Sequence, residues 1–152
     1  MGMAIFNGMN ISASGMTAQT MRMDMIAQNL ANIDTTRDEN GNVYRRKTVV
    51  FAEKNKDAFG AALALQQARH ATVVNGQGVK ITAIAEDHVT PLKKVYDPAH
   101  PDADEEGYVT YPNVDTVTEM TNLIDASRSY EANVTAFNAT KNMLLKGLDV
   151  GT

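Results

Sequence analysis

Apolar residues recur at every seventh position at both ends of this chain, and a helix with that repeat needs another helix to cover it. Near the start Met9, Met16, Met23 and Leu30 keep the step, with Ile26 and Ile33 in the offset register. Near the end Leu123, Tyr130, Phe137 and Leu144 keep it, with Met120, Val134 and Leu148 beside them. The stretch between has a different character. A chain whose two ends both require helical partners reads as a building block before it reads as a catalyst.

The first repeat predicts a helix over residues 10–33, about 36 Å long at the α-helical rise, with Asn7 or Asn10 as its N-cap. Asp34-Thr35-Thr36 and the turn dipeptide Asn40-Gly41 mark its end. Ile11, Ala18 and Met25 form a second stripe, so apolar side chains cover roughly 240° of the circumference, against ~100° for an ordinary surface helix. One partner helix cannot cover that much. A chain of 152 residues has few elements of its own to do so, which favours burial by neighbouring molecules. Seven of the nine methionines lie in the first 25 residues. Methionine adapts to irregular surroundings, which suits either core filling or a contact face for non-identical partners.

The middle region, residues 41–110, reads as a small antiparallel β unit. Residues 44–51 and 79–85 are β-branched and apolar enough for two strands; residues 89–96 suggest an edge strand because of Pro91, and residues 108–111 a short fourth. Residues 58–70 could be a short helix or a loop. After Pro112, Thr116-Val117-Thr118-Glu119 has the spacing of a capping box and opens a helix to about residue 146. Its expected seam is Met120, Leu123, Ser127, Tyr130, Val134, Phe137, Lys141, Leu144 and Leu148, where Ser127 and Lys141 are the polar breaks that specify register. Gly147 and Gly151 suggest fraying. The fold class is therefore α+β.

Chemistry is poorly supported. The net charge is −4 and basic residues do not interleave with aromatics, so nucleic acid is not an expected partner. No cysteine is present, which excludes disulfides and thiolate metal sites. His70, His88 and His100 match no zinc spacing. Asp102, Asp104, Glu106 and Gly107 imitate the first half of a calcium loop, but the twelfth position is Asn113 instead of glutamate. The alternatives for this stretch are a solvated acidic turn, or a contact of its five carboxylates, Asp97 to Glu106, with Arg45-Arg46-Lys47 of a neighbour. No phosphate-binding, nucleophile-elbow or zincin spacing occurs. We assign no catalytic, cofactor-binding or metal residue, and expect no enzyme and no cofactor. No apolar run reaches the ~20 residues of a membrane span, and no basic-then-apolar leader opens the chain. Composition thus suggests a cytosolic protein, or one exported without a cleaved signal.

Two blocks, Ser14-Gly15-Met16-Thr17-Ala18-Gln19 and Ala27-Gln28-Asn29-Leu30-Ala31-Asn32-Ile33-Asp34-Thr35-Thr36, resemble the signature of bacterial flagellar axial proteins, the rod and hook family. Tyr44-Arg45-Arg46-Lys47, the stretch from Val95 to Asp104, Gly107-Tyr108-Val109, Tyr111-Pro112-Asn113-Val114-Asp115, Glu119-Met120 and the block from Ala126 to Val134 narrow the match to the rod branch. Gly41-Asn42-Val43-Tyr44 stands where that branch often has Gly-Gly-Pro-Tyr, and residues 52–77 match least.

The resemblance implies a structural subunit of the proximal rod of the basal body, a part of the motor drive shaft. It implies export through the flagellar type III apparatus, and assembly with copies of itself and other rod proteins in the periplasm-spanning rod. It also implies that the terminal helices, residues 1–40 and 111–152, pair as a coiled-coil-like inner domain, with residues 41–110 as a β-rich outer domain. The expected assembly interface is then Met9, Met16, Met23, Ile26, Leu30, Ile33, Met120, Leu123, Tyr130, Val134, Phe137, Leu144 and Leu148. The competing reading is a cytosolic coiled-coil adaptor or homo-oligomer unrelated to the rod.

Overall fold

The computed structural model describes residues 2–37, 41–54 and 76–149. The element order is α1 (Gly2–Ala31), β1 (Lys47–Glu53), β2 (Val79–Glu86), β3 (Lys93–Tyr96), β4 (Tyr108–Tyr111) and α2 (Thr116–Asp149). The fold is α+β: two long helices and two separate two-stranded sheets, β1–β2 and β3–β4. The stretch 58–70, with His70, lies outside the described residues, as does Asn40.

Helix α1 begins well before residue 10, so neither Asn7 nor Asn10 caps it. Asn7 instead donates its amide to the Gly76 carbonyl at 3.1 Å, a use for its side chain that spacing along the helix cannot reveal. The other end is stopped by Asn32. Its backbone N–H and its side-chain amide both donate to the Gln28 carbonyl, at 3.1 and 2.8 Å, satisfying an orphan acceptor of the last turn. Ile33 falls in the turn beyond the helix.

The start of α2 also differs from expectation. Asp115, rather than Thr116, is the N-cap: its Oδ2 accepts from the backbone N–H and the hydroxyl of Thr118, at 3.0 and 2.7 Å. Its carbonyl accepts the first helical bond from Glu119 N–H at 2.9 Å. Glu119 is thereby released from any capping role. The helix continues through Gly147 to Asp149. The Thr118 hydroxyl first, and its backbone N–H second, hold the Asp115 carboxyl below its ordinary value of 3.8. The cap therefore contributes fully above that ordinary value and is lost as pH falls through the lower, folded-state one. Asp115→Ala should lower the melting temperature at neutral pH, and melts repeated down an acid series should show the gap from the parent chain closing.

The chain divides into two compact units: residues 1–19, 51–82 and 128–152 form the first, and residues 20–50 and 83–127 the second. In the first unit the two helices run antiparallel: a Cβ at Gly8 would lie 3.8 Å from Thr140 Cγ2, and one at Gly15 would lie 2.7 Å from Asn133 Oδ1. Ala18 and Ser12 are buried there. In the second unit Met25, Ile26, Val109, Pro112, Val114 and Ala126 make the apolar core, and Asn29, Asn113 and Glu119 are buried among it.

Strand β1 opens at Lys47, three residues later than the expected start at Tyr44, because side-chain amides hold the approach to it. Asn113 Oδ1 accepts the Arg46 N–H and Asn29 Oδ1 accepts the Lys47 N–H, both at 2.9 Å. Backbone bonds from Lys54 to Gly78 and from Asp87 to Arg46 give β1–β2 its antiparallel sense. The edge strand expected from residue 89 starts only at Lys93, since residues 87–90 form a turn on the Asp87 carboxylate. Its Oδ1 accepts the N–H groups of Val89 and Thr90, and its Oδ2 the Thr90 hydroxyl. The Thr90 bonds are the main cause that holds the Asp87 carboxyl below its usual range. Strands β3 and β4 pair antiparallel from Lys93↔Tyr111 to Tyr96↔Tyr108.

Candidate functional site

The most constrained chemistry lies in the second unit, around Glu119. The side chain is fully buried on α2, yet it is a carboxylate. Burying such a charge costs several kcal/mol unless donors replace the lost water. Arg46 supplies two: its Nε and Nη2 both reach Oε1 at 2.8 Å. Asn29 Nδ2 donates to Oε2 at 2.9 Å. Every one of these partners is a donor, so the pocket fits an ionised acid and nothing that must itself donate.

Asn29 is as fully used. Its Nδ2 also donates to the Lys47 carbonyl at 2.9 Å, while its Oδ1 accepts from Lys47 N–H and from the Tyr44 hydroxyl at 3.0 Å. One helical amide thus reads Lys47 as an antiparallel strand neighbour would. Burial, then the charges of Glu86 and Glu119, push the Tyr44 phenol above its ordinary value, which keeps it a donor. Asn113 completes the clamp: besides accepting the Arg46 N–H, it donates to the carbonyls of Asp87 and Thr90 at 3.0 and 3.2 Å. Three side chains from α1, α2 and the segment after β4 therefore fasten the root of the β1–β2 hairpin. The arrangement rigidifies; it offers no nucleophile, no general base and no open position for a substrate.

The first unit has its own strap. Ser14 Oγ donates to the Ile11 carbonyl at 2.7 Å and accepts the Val79 N–H at 3.0 Å. Gly78, at φ +95°, lies where a Cβ would collide with Ser14 Oγ and come within 3.3 Å of the Ile11 backbone. The Ser14-Gly15 pair thus has two separate jobs: serine holds the start of β2, and glycine leaves room for Asn133.

The acidic turn 97–106 is used within the chain. Asp104 Oδ1 accepts the N–H groups of Glu106 and Tyr108, and Asp97 Oδ1 that of Ala99. Asp102 receives the Thr36 hydroxyl at 2.7 Å and pairs with Arg37 at 3.6 Å. Gly107, at φ +84°, closes the turn where a Cβ would lie 2.9 Å from the Tyr96 ring. The basic cluster has other partners: Arg46 has Glu119, Arg45 reaches the Asp87 carbonyl, and Lys47 lies 5.4 Å from the Tyr44 ring centroid.

The residues expected to face neighbours fall into two groups. Met9, Met16, Met23, Leu30, Ile33, Leu123, Tyr130, Val134, Phe137 and Leu144 are half-buried, and Ile26 is buried at 5% exposure. Met120 and Leu148 stand out at 54% and 63% exposure. On α2 the covered row is Glu119, Ala126, Asn133 and Thr140 together with Leu123, Tyr130, Phe137 and Leu144. The expected row through Met120, Ser127, Val134 and Lys141 lies one residue on. Sequence reasoning missed Glu119, Asn29 and Asn113 because polar side chains carry no apolar periodicity. The signal available for Glu119 was its seven-residue step to Ala126 and Asn133.

A family model described as "Flagella basal body rod protein" matches residues 9–37, and one described as "Flagellar basal body rod FlgEFG protein C-terminal" matches residues 105–150. The flagellar basal-body rod protein FlgC of Bacillus subtilis is 48% identical, over 98% of this chain and 99% of its own length. The chain belongs to the FlgC family of flagellar basal-body rod proteins. The FlgC proteins of Borreliella burgdorferi, at 40% identity over 97% of this chain and 98% of theirs, and of Escherichia coli, at 43% over 98% and 99%, agree. Members of the FlgC family are structural proteins, and the chain is a rod subunit of the flagellar basal body rather than an enzyme. The first matched segment carries Ser14, Gly15 and Asn29, and the second carries Asn113, Asp115 and Glu119. Among the described residues no helix is long and apolar enough to cross a membrane.

Proposed function

We propose that this chain builds the proximal part of the rod by packing its terminal helices against copies of itself and other rod proteins, after export through the flagellar type III apparatus without a cleaved signal. In this reading residues 1–40 and 111–152 pair as a coiled-coil-like inner domain and residues 41–110 form the outer one, in a rod that crosses the periplasm. The supporting observation is the apolar surface that the two helices leave in water. Leu123, Tyr130, Phe137 and Leu144 on the covered row of α2 are only half-buried, and Phe6, Met120, Ile124, Met143, Leu145 and Leu148 remain more than half exposed. Exposed apolar side chains on one helix face, as Val117, Met120 and Ile124 are, mark an interaction site. Relatives that are rod proteins over nearly their whole length leave the alternative of a cytosolic adaptor unfavoured.

Substituting Leu30→Asp in the flagellated cell sets a charge among apolar neighbours, at several kcal/mol when left unpaired. Basal bodies lacking this subunit, and loss of motility, are the expected result. Motile cells with normal basal bodies would contradict the reading.

A further inference from the structure

We propose that copies of this chain contact one another head to tail, with the exposed stripe of α2 on one copy seated in a groove on α1 of the next, and Arg128 of the first set against Asp24 of the second. The proposal rests on the rod-subunit reading and names the self-contact within it.

The stripe is Val117, Met120 and Ile124, exposed at 72%, 54% and 53%. Their spacing puts them on one face of α2, and Arg128, also exposed, continues that face one turn on. At 100° per residue the stripe lies about 125° from the row of Glu119, Leu123 and Ala126 that packs inside the chain. The chain's own α1 is therefore out of its reach, and among the described residues nothing covers it.

A receptor for the stripe exists in the same unit. Met21, Asp24, Met25, Ala27, Gln28 and Ala31 line a groove of about 520 Å³ on α1. Ala27 and Ala31 in its lining are exposed, and their single methyl groups let another helix approach closely. Its rim holds Asp24. Among the described residues neither Asp24 nor Arg128 has an ion-pair partner.

Charge fixes the direction of docking. Head-to-tail repetition keeps every copy pointing the same way. Only an antiparallel approach of α2 of one copy to α1 of the next pairs the two charges. With Ile124 seated over Ala27 and Ala31, the antiparallel arrangement brings Arg128 within one turn of Asp24. The parallel arrangement would set Met120 against Asp24 and carry Arg128 past the helix end. A rim pair of this kind selects orientation more than it adds affinity. Knob and groove are different surfaces of one molecule, so the contact does not close on itself and propagates along an axis.

The chain contains no cysteine, which makes thiol crosslinking clean. Cells lacking the native copy would express D24C and R128C chains together, and isolated basal bodies would be treated with a short thiol–thiol crosslinker. A covalent dimer containing one of each chain is expected. D24C with K141C, whose α2 position lies about 20 Å along the helix from Arg128, should give none. Basal bodies that contain both chains but yield no D24C–R128C dimer would overturn the contact while leaving the rod reading intact. Chains absent from basal bodies even without substitution would overturn the rod reading itself. As a second readout, D24R and R128D should each shrink the motility halo severalfold, and the double exchange should recover most of it. Singles as motile as the parent chain would also overturn the contact.

Discussion

Glu119→Ala should destabilise the second unit by about 3–5 kcal/mol, the range for breaking a buried ion pair from one side. The lower end is expected, because the Arg46 side chain keeps 25% of its surface in water and can recover part of its solvation. Asn29 cannot, since it is fully buried and would keep an amide hydrogen with no acceptor beyond the Lys47 carbonyl. Urea unfolding of the purified chain is the measurement. With a slope of about 1–2 kcal/mol per molar, the midpoint should fall by roughly 1.5–3 M. Glu119→Gln keeps the shape but turns an NH₂ group toward Arg46 or Asn29, both donors, and should recover little. If both variants unfolded within 0.5 M urea of the parent chain, the buried carboxylate would be irrelevant to stability.

Asn29→Asp should be almost as damaging, and in a way that pH can undo. The substitution is isosteric, yet it sets a second carboxylate where an amide now donates to Glu119 Oε2 at 2.9 Å and to the Lys47 carbonyl at the same distance. About 2–4 kcal/mol should be lost at neutral pH, from two forfeited hydrogen bonds and a like-charge pair. Two carboxyls sharing one site cannot both ionise cheaply, so one proton is retained more tightly in the folded state than in the unfolded chain. The sign follows: stability of the variant relative to the parent rises as pH falls and a proton enters the pair. Denaturation series at neutral and mildly acidic pH would show the gap narrowing. A gap that stayed constant would mean the two side chains do not meet.

These two residues also show where reading the chain as a string succeeds and fails. Element types were legible: two terminal helices and four short strands in the right order follow from apolar spacing, β-branched runs and proline placement. Those signals act over a few residues, and local sterics decide them. The boundaries moved where a distant side chain competed for the backbone. Strand β1 opens late because Asn29 and Asn113 take the Arg46 and Lys47 N–H groups, and α2 is capped by Asp115 because Glu119 turns inward to Arg46. Family membership was legible for a related reason. The two blocks that carry it hold residues whose roles are geometrical: Ser14 and Gly15 at the β2 strap and the Asn133 contact, Asn29 at the clamp.

Sequence alone thus determined that apolar residues recur every seventh position on both terminal helices, and that the blocks around them resemble rod proteins, a family the relatives confirm. Only the tertiary structure decided which stripe stays outside. On α2 the chain's own helix contact takes the row of Glu119, Ala126, Asn133 and Thr140 and leaves Met120 in water. An apolar period identifies faces that gain from burial but cannot rank them. The ranking comes from a carboxylate and an amide, whose burial is tolerated only where donors and acceptors from other segments converge, and that convergence exists only in three dimensions.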